Sequence, residues 1–228
     1  MYQKPTFFGV AYASHLFRVL GGRALHELRE ATAGAPDLEI DDHMSELLRW
    51  LNKWGCRITE GEFPTISPLL RDWYRRWMRT EKLPKGELRN LQDDELDLLA
   101  AAHGDLLKIR EFGPTSASKT LFVVCPHASI PWDIPIRKKL KSLTKQLTYR
   151  AMLEWSREEA GDLIADAGRC GFSSSRQVLR YIENGAGSIT ELLDQYHWVT
   201  ITRGHRVPSS DELRQWVKWA TREGGLNQ

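Results

Sequence analysis

Apolar residues in this chain recur at the three- and four-residue spacing of an α-helix, with little alternation in twos. Leu47, Leu48, Trp50, Leu51 and Trp54 fall on one helical face that stops at Gly55. Leu16, Val19 and Leu20 begin another stripe, interrupted by Gly21-Gly22 and resumed at Leu25 and Leu28. In residues 63–84 the stripe is Leu70, Trp73, Trp77 and Met78, with Ser67 as the expected N-cap, Pro68 in the first turn and arginines on the opposite face. Residues 93–112 predict a further helix, ended near Gly113-Pro114. Residues 148–168 form an amphipathic stretch carrying Met152, Leu153, Leu163 and Ile164. Residues 173–187 have a serine cap and glycine stop, and residues 208–225 open on a Ser/Asp cap and end at Gly224-Gly225.

Only TLFVVC (120–125) and WVTIT (198–202) have the β-branched content of a strand, and both are short. No βαβ alternation exists, which argues against a parallel-sheet enzyme. The expected class is therefore all-α with at most a few short strands, its main loops at 33–39, 59–65 and 203–209.

A chain of 228 residues suits one large domain or two small lobes around a real core. No apolar run approaches a membrane span, and His15 and Arg18 break up the N-terminal apolar stretch, which reads as mature chain rather than a signal peptide. The three cysteines, Cys56, Cys125 and Cys170, contain no CxxC pair, so no zinc site or cysteine-held iron–sulfur cluster is expected. They fit a reducing cytoplasm, with Cys125 as a core residue. There is no glycine-rich phosphate loop, no HExxH and no GxSxG. Neither metal nor cofactor is expected.

Net charge is only +2, but the charges are segregated. Basic runs occupy Arg71–Lys85 and Arg137–Lys145, and acids gather at Asp37–Asp42 and Asp93–Asp97. A near-neutral chain with such separation can present one positive face, although solvated helix faces would give the same pattern.

One acid stands at the head of the second basic run. In Pro131-Trp132-Asp133-Ile134-Pro135, a proline at 135 is tolerated only in a first helical turn, which makes Asp133 the N-cap of the helix carrying Arg137, Lys138, Lys139 and Lys141. Backbone N–H groups and the helix dipole keep such an aspartate anionic at neutral pH. Upstream, residues 96–125 predict a helix, a tight turn at Gly113-Pro114-Thr115, and a second helix with small residues at Ser116, Ala117 and Ser118. Capping and an ordinary helical hairpin would account for each segment taken singly.

The order of these features resembles the helix-hairpin-helix DNA glycosylase superfamily, which includes endonuclease III, the adenine glycosylase MutY and the 8-oxoguanine glycosylases. FGPTSASKTL (112–121) matches the hairpin and IPWDIPIRKKL (130–140) the catalytic segment. The resemblance aligns Gly113 with the second hairpin glycine, Ala117 with a small residue after it, and Asp133 with the catalytic aspartate. Pro114 replaces a residue whose N–H could meet a phosphate. The lysine of lyase-competent members falls in register at Thr115 or Ser116, with Lys119 about a turn further on, which implies a monofunctional reaction. The family's C-terminal cysteine cluster is missing. The resemblance implies one unit over 1–228, with hairpin and catalytic segment at 96–145 and the N-terminal helices and 146–228 completing two lobes around a cleft.

On this resemblance Asp133 steadies the cationic sugar and accepts a proton from water. Gly113, Thr115, Ser116, Lys119, Arg137, Lys138, Lys139 and Lys141 are the expected DNA contacts. Trp132, His127 and Trp198 are expected to line the pocket for the extruded base. Trp50, Trp54, Trp73 and Trp77 are expected in the core, and Asp194 as a mid-helix surface charge. The expected partner is double-stranded DNA, bound by a cytoplasmic, nucleoid-associated monomer. A non-catalytic helix-hairpin-helix protein and a helical protein-interaction module stay open as alternatives.

Overall fold

The computed structural model describes residues 2–22, 25–182, 185–209, 211–213 and 215, and among them no strand occurs. The helices are α1 (Phe7–Val19), α2 (Leu25–Ala31), α3 (Asp41–Lys53), α4 (Phe63–Tyr74), α5 (Asp93–Leu106), α6 (Pro114–Val124), α7 (Ile134–Thr144), α8 (Tyr149–Arg169), α9 (Ser175–Ile182) and α10 (Ile189–His197). The protein is all-α, and no helix of the described residues is long and apolar enough to cross a membrane.

Side-chain oxygens start several of these helices. Thr6 accepts from the Gly9 N–H (3.2 Å), Thr148 from Ala151 (3.1 Å) and Ser188 from Glu191 (3.1 Å), each satisfying a donor the helix leaves free. Two helices are interior. Ser116–Val123 of α6 are all buried, as are all nine residues of α10. The other helices cover these two: α1 and α8 lie against α10, and α3 and α5 against α6.

Both expected strands are helical. TLFV and the following Val124 belong to α6, and WVTIT continues α10 as a wider π turn, Trp198–Thr202. Tertiary packing overrides β-propensity here: Val199 is fully buried, and the segment packs against α7 and α1. A second π turn, Arg75–Arg79, extends α4.

Helix α4 starts earlier than Ser67. A capping box between Thr59 and Glu62 starts a 3₁₀ turn that runs into Phe63, so residues 63–65 of the expected loop are helical and Pro68 sits inside the helix on its exposed side. The turn before α6 also moves. Helix α5 ends at Leu106, residues 107–113 form the connection, and Pro114 and Thr115 are already helical. Ile109 and Phe112 are buried beneath this connection. At the C-terminal end Ser209 accepts from the Glu212 N–H (3.2 Å), as a cap should, and residues 211–213 and 215 are helical; the other residues of that expected helix beyond 209 lie outside the described residues.

The two charge clusters in the first half of the chain neutralise each other. Arg75 binds Glu39 (2.7 Å), Arg79 binds Asp37 (3.0 Å), Arg71 binds Asp41, and Arg76 binds Asp105 (3.1 Å). The run from Arg71 is thus largely paired, and it does not form the positive face that its isolation in sequence suggested.

Candidate active site

The connection from Val124 to Asp133 is pinned on both sides. The Ser118 hydroxyl accepts from the Trp132 N–H (3.1 Å), the Thr115 hydroxyl approaches the Trp132 carbonyl (3.5 Å), and Tyr149 donates to the Ile130 carbonyl (2.8 Å). This holds Asp133 at the mouth of α7. One carboxylate oxygen accepts from the Ile136 N–H (3.0 Å), the N-cap bond expected from Pro135. The other accepts from the Thr202 hydroxyl in the π turn (2.7 Å). The cap contributes about 1 kcal/mol, and a hydrogen bond to a charged group about 1.5–3 kcal/mol. Asp133 is half-buried, so it is fixed without being sealed.

Helix α7 differs from α4 in its charges. Among the described residues no ion pair ends on Arg137, Lys138, Lys139 or Lys141. Lys138 and Lys141 are exposed, while Arg137 lies 5.8 Å above the Trp132 ring and Lys139 5.5 Å above Tyr2. Beside α7, Tyr2, Lys139, Thr200, Ile201, Gly204 and neighbouring residues enclose a cavity of about 410 Å³. Cation and cavity flank the segment that carries Thr202.

Lys119 is an interior residue, only 4% exposed, and cannot reach a phosphate running along the surface. Its ammonium lies 3.6 Å from the centroid of Trp54 and 5.8 Å from that of Trp50. Trp50 on α3 and Trp54, the residue that caps its C-terminus, stand one helical turn apart, and Trp54 meets Trp198 edge to face at 6.5 Å. Among the described residues no hydrogen bond or ion pair ends on the Lys119 ammonium. The desolvated part of such a cation–π contact contributes about 2 kcal/mol, and the Asp194 carboxyl lies within electrostatic reach of the same ammonium.

Asp194 is also interior rather than a surface charge. Burial pushes its carboxyl up to about 6; Lys119 and His197 oppose that rise, and the neighbouring charges of Asp133 and Glu191 add to it. One electrostatic group therefore contains Lys119 of α6, the cap of α7 and Asp194 of α10. Thr202 and Asp194 had no distinguishing local signal. The Trp50–Trp54 pair had one, a four-residue spacing on a stripe, but it reads equally as core.

The other expected site residues go to different places. Trp198 is half-buried against Trp54 and Phe17 (5.0 Å), with Arg203 5.1 Å above its ring, and belongs to the Lys119 group. Trp132 is core: it is 4% exposed and meets Tyr149 (5.5 Å) and His103 (6.0 Å) edge to face. His127 is exposed and lines a separate cavity of about 150 Å³ with Trp77, Met78 and Cys125, which neither Asp133 nor Trp198 lines. The Ser116 hydroxyl is buried on the Gly113 carbonyl (2.9 Å), so Ser116 and Thr115 serve the protein's own backbone. Gly113 is exposed at φ −86°, which any residue adopts, and a Cβ there would meet no atom of the chain. No group of three His, Cys, Asp or Glu residues among those described is placed to hold a metal ion.

Trp132→Phe tests the core assignment. The indole N–H is buried without a hydrogen-bond partner among the described residues, so its loss offsets part of the lost ring area. The expected cost is about 1–2 kcal/mol in urea unfolding, well short of the 3–5 kcal/mol of a Trp→Ala cavity.

Comparison with protein-family models, with curated proteins and with solved structures gives no match in any of the three.

Proposed function

We propose that this protein is a monofunctional DNA glycosylase that hydrolyses the N-glycosidic bond of a damaged or modified base extruded from double-stranded DNA. The observation that carries the reading is Asp133, a carboxylate held by the Ile136 N–H and the Thr202 hydroxyl at the head of a helix whose cations have no ion-pair partner among the described residues. On this reading α5, the 107–113 connection and α6 are the helix-hairpin-helix, and the flanking helices complete two lobes around a cleft.

As the C1′–N bond breaks, its electron pair leaves with the base and positive charge builds on the sugar. A fixed carboxylate steadies that charge at no reorganisation cost and accepts the proton of the attacking water, whose oxygen forms the new bond to C1′. Arg137, Lys138, Lys139 and Lys141 hold the strand by its phosphates, independent of sequence. Gly113 adds support, because nothing within the chain demands a glycine there and a backbone without a side chain allows close approach of a partner. The protein acts as a nucleoid-associated monomer and needs no cofactor.

The test is a panel of duplexes carrying oxidised, deaminated, alkylated or hypermodified bases. The expected product is an abasic site that breaks only on treatment with alkali. Spontaneous nicking with an adduct trapped by borohydride would remove the monofunctional assignment. Salt-sensitive binding with no base released from any duplex would leave a non-catalytic DNA-binding protein.

A further inference from the structure

Lys119 presents an ammonium that the folded chain leaves with aromatic faces and no acceptor among the described residues. It is 4% exposed and its ammonium is not sealed from solvent, so a ligand group reaching it would take the place of water as its acceptor. An ammonium offers three donors and accepts nothing. It therefore matches a planar ligand with carbonyl oxygens or unprotonated ring nitrogens, and it repels one bearing positive charge. Trp198, half-exposed and edge-on to Trp54, supplies flat apolar surface at the same place. Asp194 lies within electrostatic reach of the same ammonium and offers acceptor oxygens for a ring N–H.

We infer that Lys119 is the base-reading residue of the site, selecting neutral bases whose edge presents hydrogen-bond acceptors and rejecting bases made cationic by N-alkylation. This rests on the glycosylase reading above and narrows its substrate class. The same cation that rewards a carbonyl edge disfavours 7-methylguanine or 3-methyladenine through repulsion in a desolvated setting. A pocket that hydrogen-bonds its ligand also rejects analogues lacking the acceptor, because the buried donor is then left unpaired.

Recognition can be separated from chemistry with duplexes carrying one 2′-fluoro nucleotide, whose glycosidic bond resists cleavage. The bases are uracil, 5-hydroxymethyluracil and 8-oxoguanine on one side and 7-methylguanine on the other. Wild type is expected to bind at least one carbonyl-edged base about tenfold or more tightly than either undamaged DNA or the 7-methylguanine duplex. Lys119→Met, similar in length and without charge, should abolish that preference, and Lys119→Arg should keep it. Equal or tighter binding of 7-methylguanine by wild type, no preference at all, or a preference intact in Lys119→Met would each overturn the inference. Cleavable versions of the same duplexes run in parallel keep the two claims apart. Selective binding without release removes the catalytic reading and leaves Lys119 as a reader. Release at the same relative rates by wild type and Lys119→Met removes the reader and leaves the catalysis.

Discussion

Asp133→Asn is expected to release base about 10³-fold or more slowly than wild type while binding an abasic-site duplex at least as tightly. The substitution keeps the shape of the side chain and can still accept from the Ile136 N–H, so the helix keeps most of its cap. What disappears is the negative charge facing the sugar and the proton acceptor for water, each of which ordinarily accounts for two or more powers of ten. DNA affinity should not fall, because one repulsion between carboxylate and phosphate is gone. Single-turnover release and fluorescence anisotropy measure the two quantities on the same protein. Thr202→Val separates positioning from charge: Asp133 keeps its charge and loses the 2.7 Å bond that orients it. Its loss of rate should be the smaller, near tenfold. A wild-type release rate in Asp133→Asn would make this residue a helix cap and nothing more.

The second large effect is on stability, and its sign depends on pH. His103 is buried against Tyr149, its ring stacked at 4.1 Å, and burial lowers its pKa to about 4. In the unfolded chain it takes up a proton near 6.5, which the native state refuses. Its contribution is therefore complete above pH 6.5 and lost as pH falls toward 4, on the order of 3 kcal/mol in all. Asp194 behaves oppositely, with its carboxyl pushed up from 3.8 to about 6. The native state holds that proton where the unfolded chain has released it, so stability is greatest below pH 4, declines to pH 6 and is level above, again by on the order of 3 kcal/mol.

In wild type the two slopes largely cancel between pH 4 and 6, and single substitutions uncover them. Asp194→Asn should match wild type at pH 4 and exceed its stability by up to about 3 kcal/mol at pH 7. His103→Phe should leave stability at pH 7 little changed and raise it by a similar amount at pH 4. Urea unfolding of the three proteins at both pH values decides it, and an Asp194→Asn gain that is the same at pH 4 and pH 7 would refute the burial argument. An interior carboxylate whose removal stabilises the fold is one retained for another purpose.

The stripes and caps show why most helices were legible in the sequence. Leu47 to Trp54 repeat at helical spacing because α3 has one face in the core and one in water, and Asp133 was readable as a cap because Pro135 permits little else. The same logic fails inside the molecule. Helix α10 has the rhythm of a half-solvated helix, with Thr190, Glu191, Asp194 and Gln195 set among Ile189, Leu192 and Leu193, yet all of them are buried, so Asp194 looks in sequence like any solvated acid. Ion pairing is invisible for another reason: Arg75 finds Glu39 across 36 positions, a distance only the fold closes. Lys119 needed two elements at once, a lysine on α6 and a tryptophan pair at the C-terminal end of α3, so no local window contained its cage.

The π turn at Trp198–Thr202 has a further consequence. It accommodates an extra residue in the helical path, and that surplus is what swings Thr202 round to Asp133. Wound as a regular α-helix with the same residues, the segment would carry everything after it about 100° further round the axis. The aspartate would keep its place and its neighbours on α7 yet lose its hydroxyl, so the site depends on the winding of this segment as much as on residue identity.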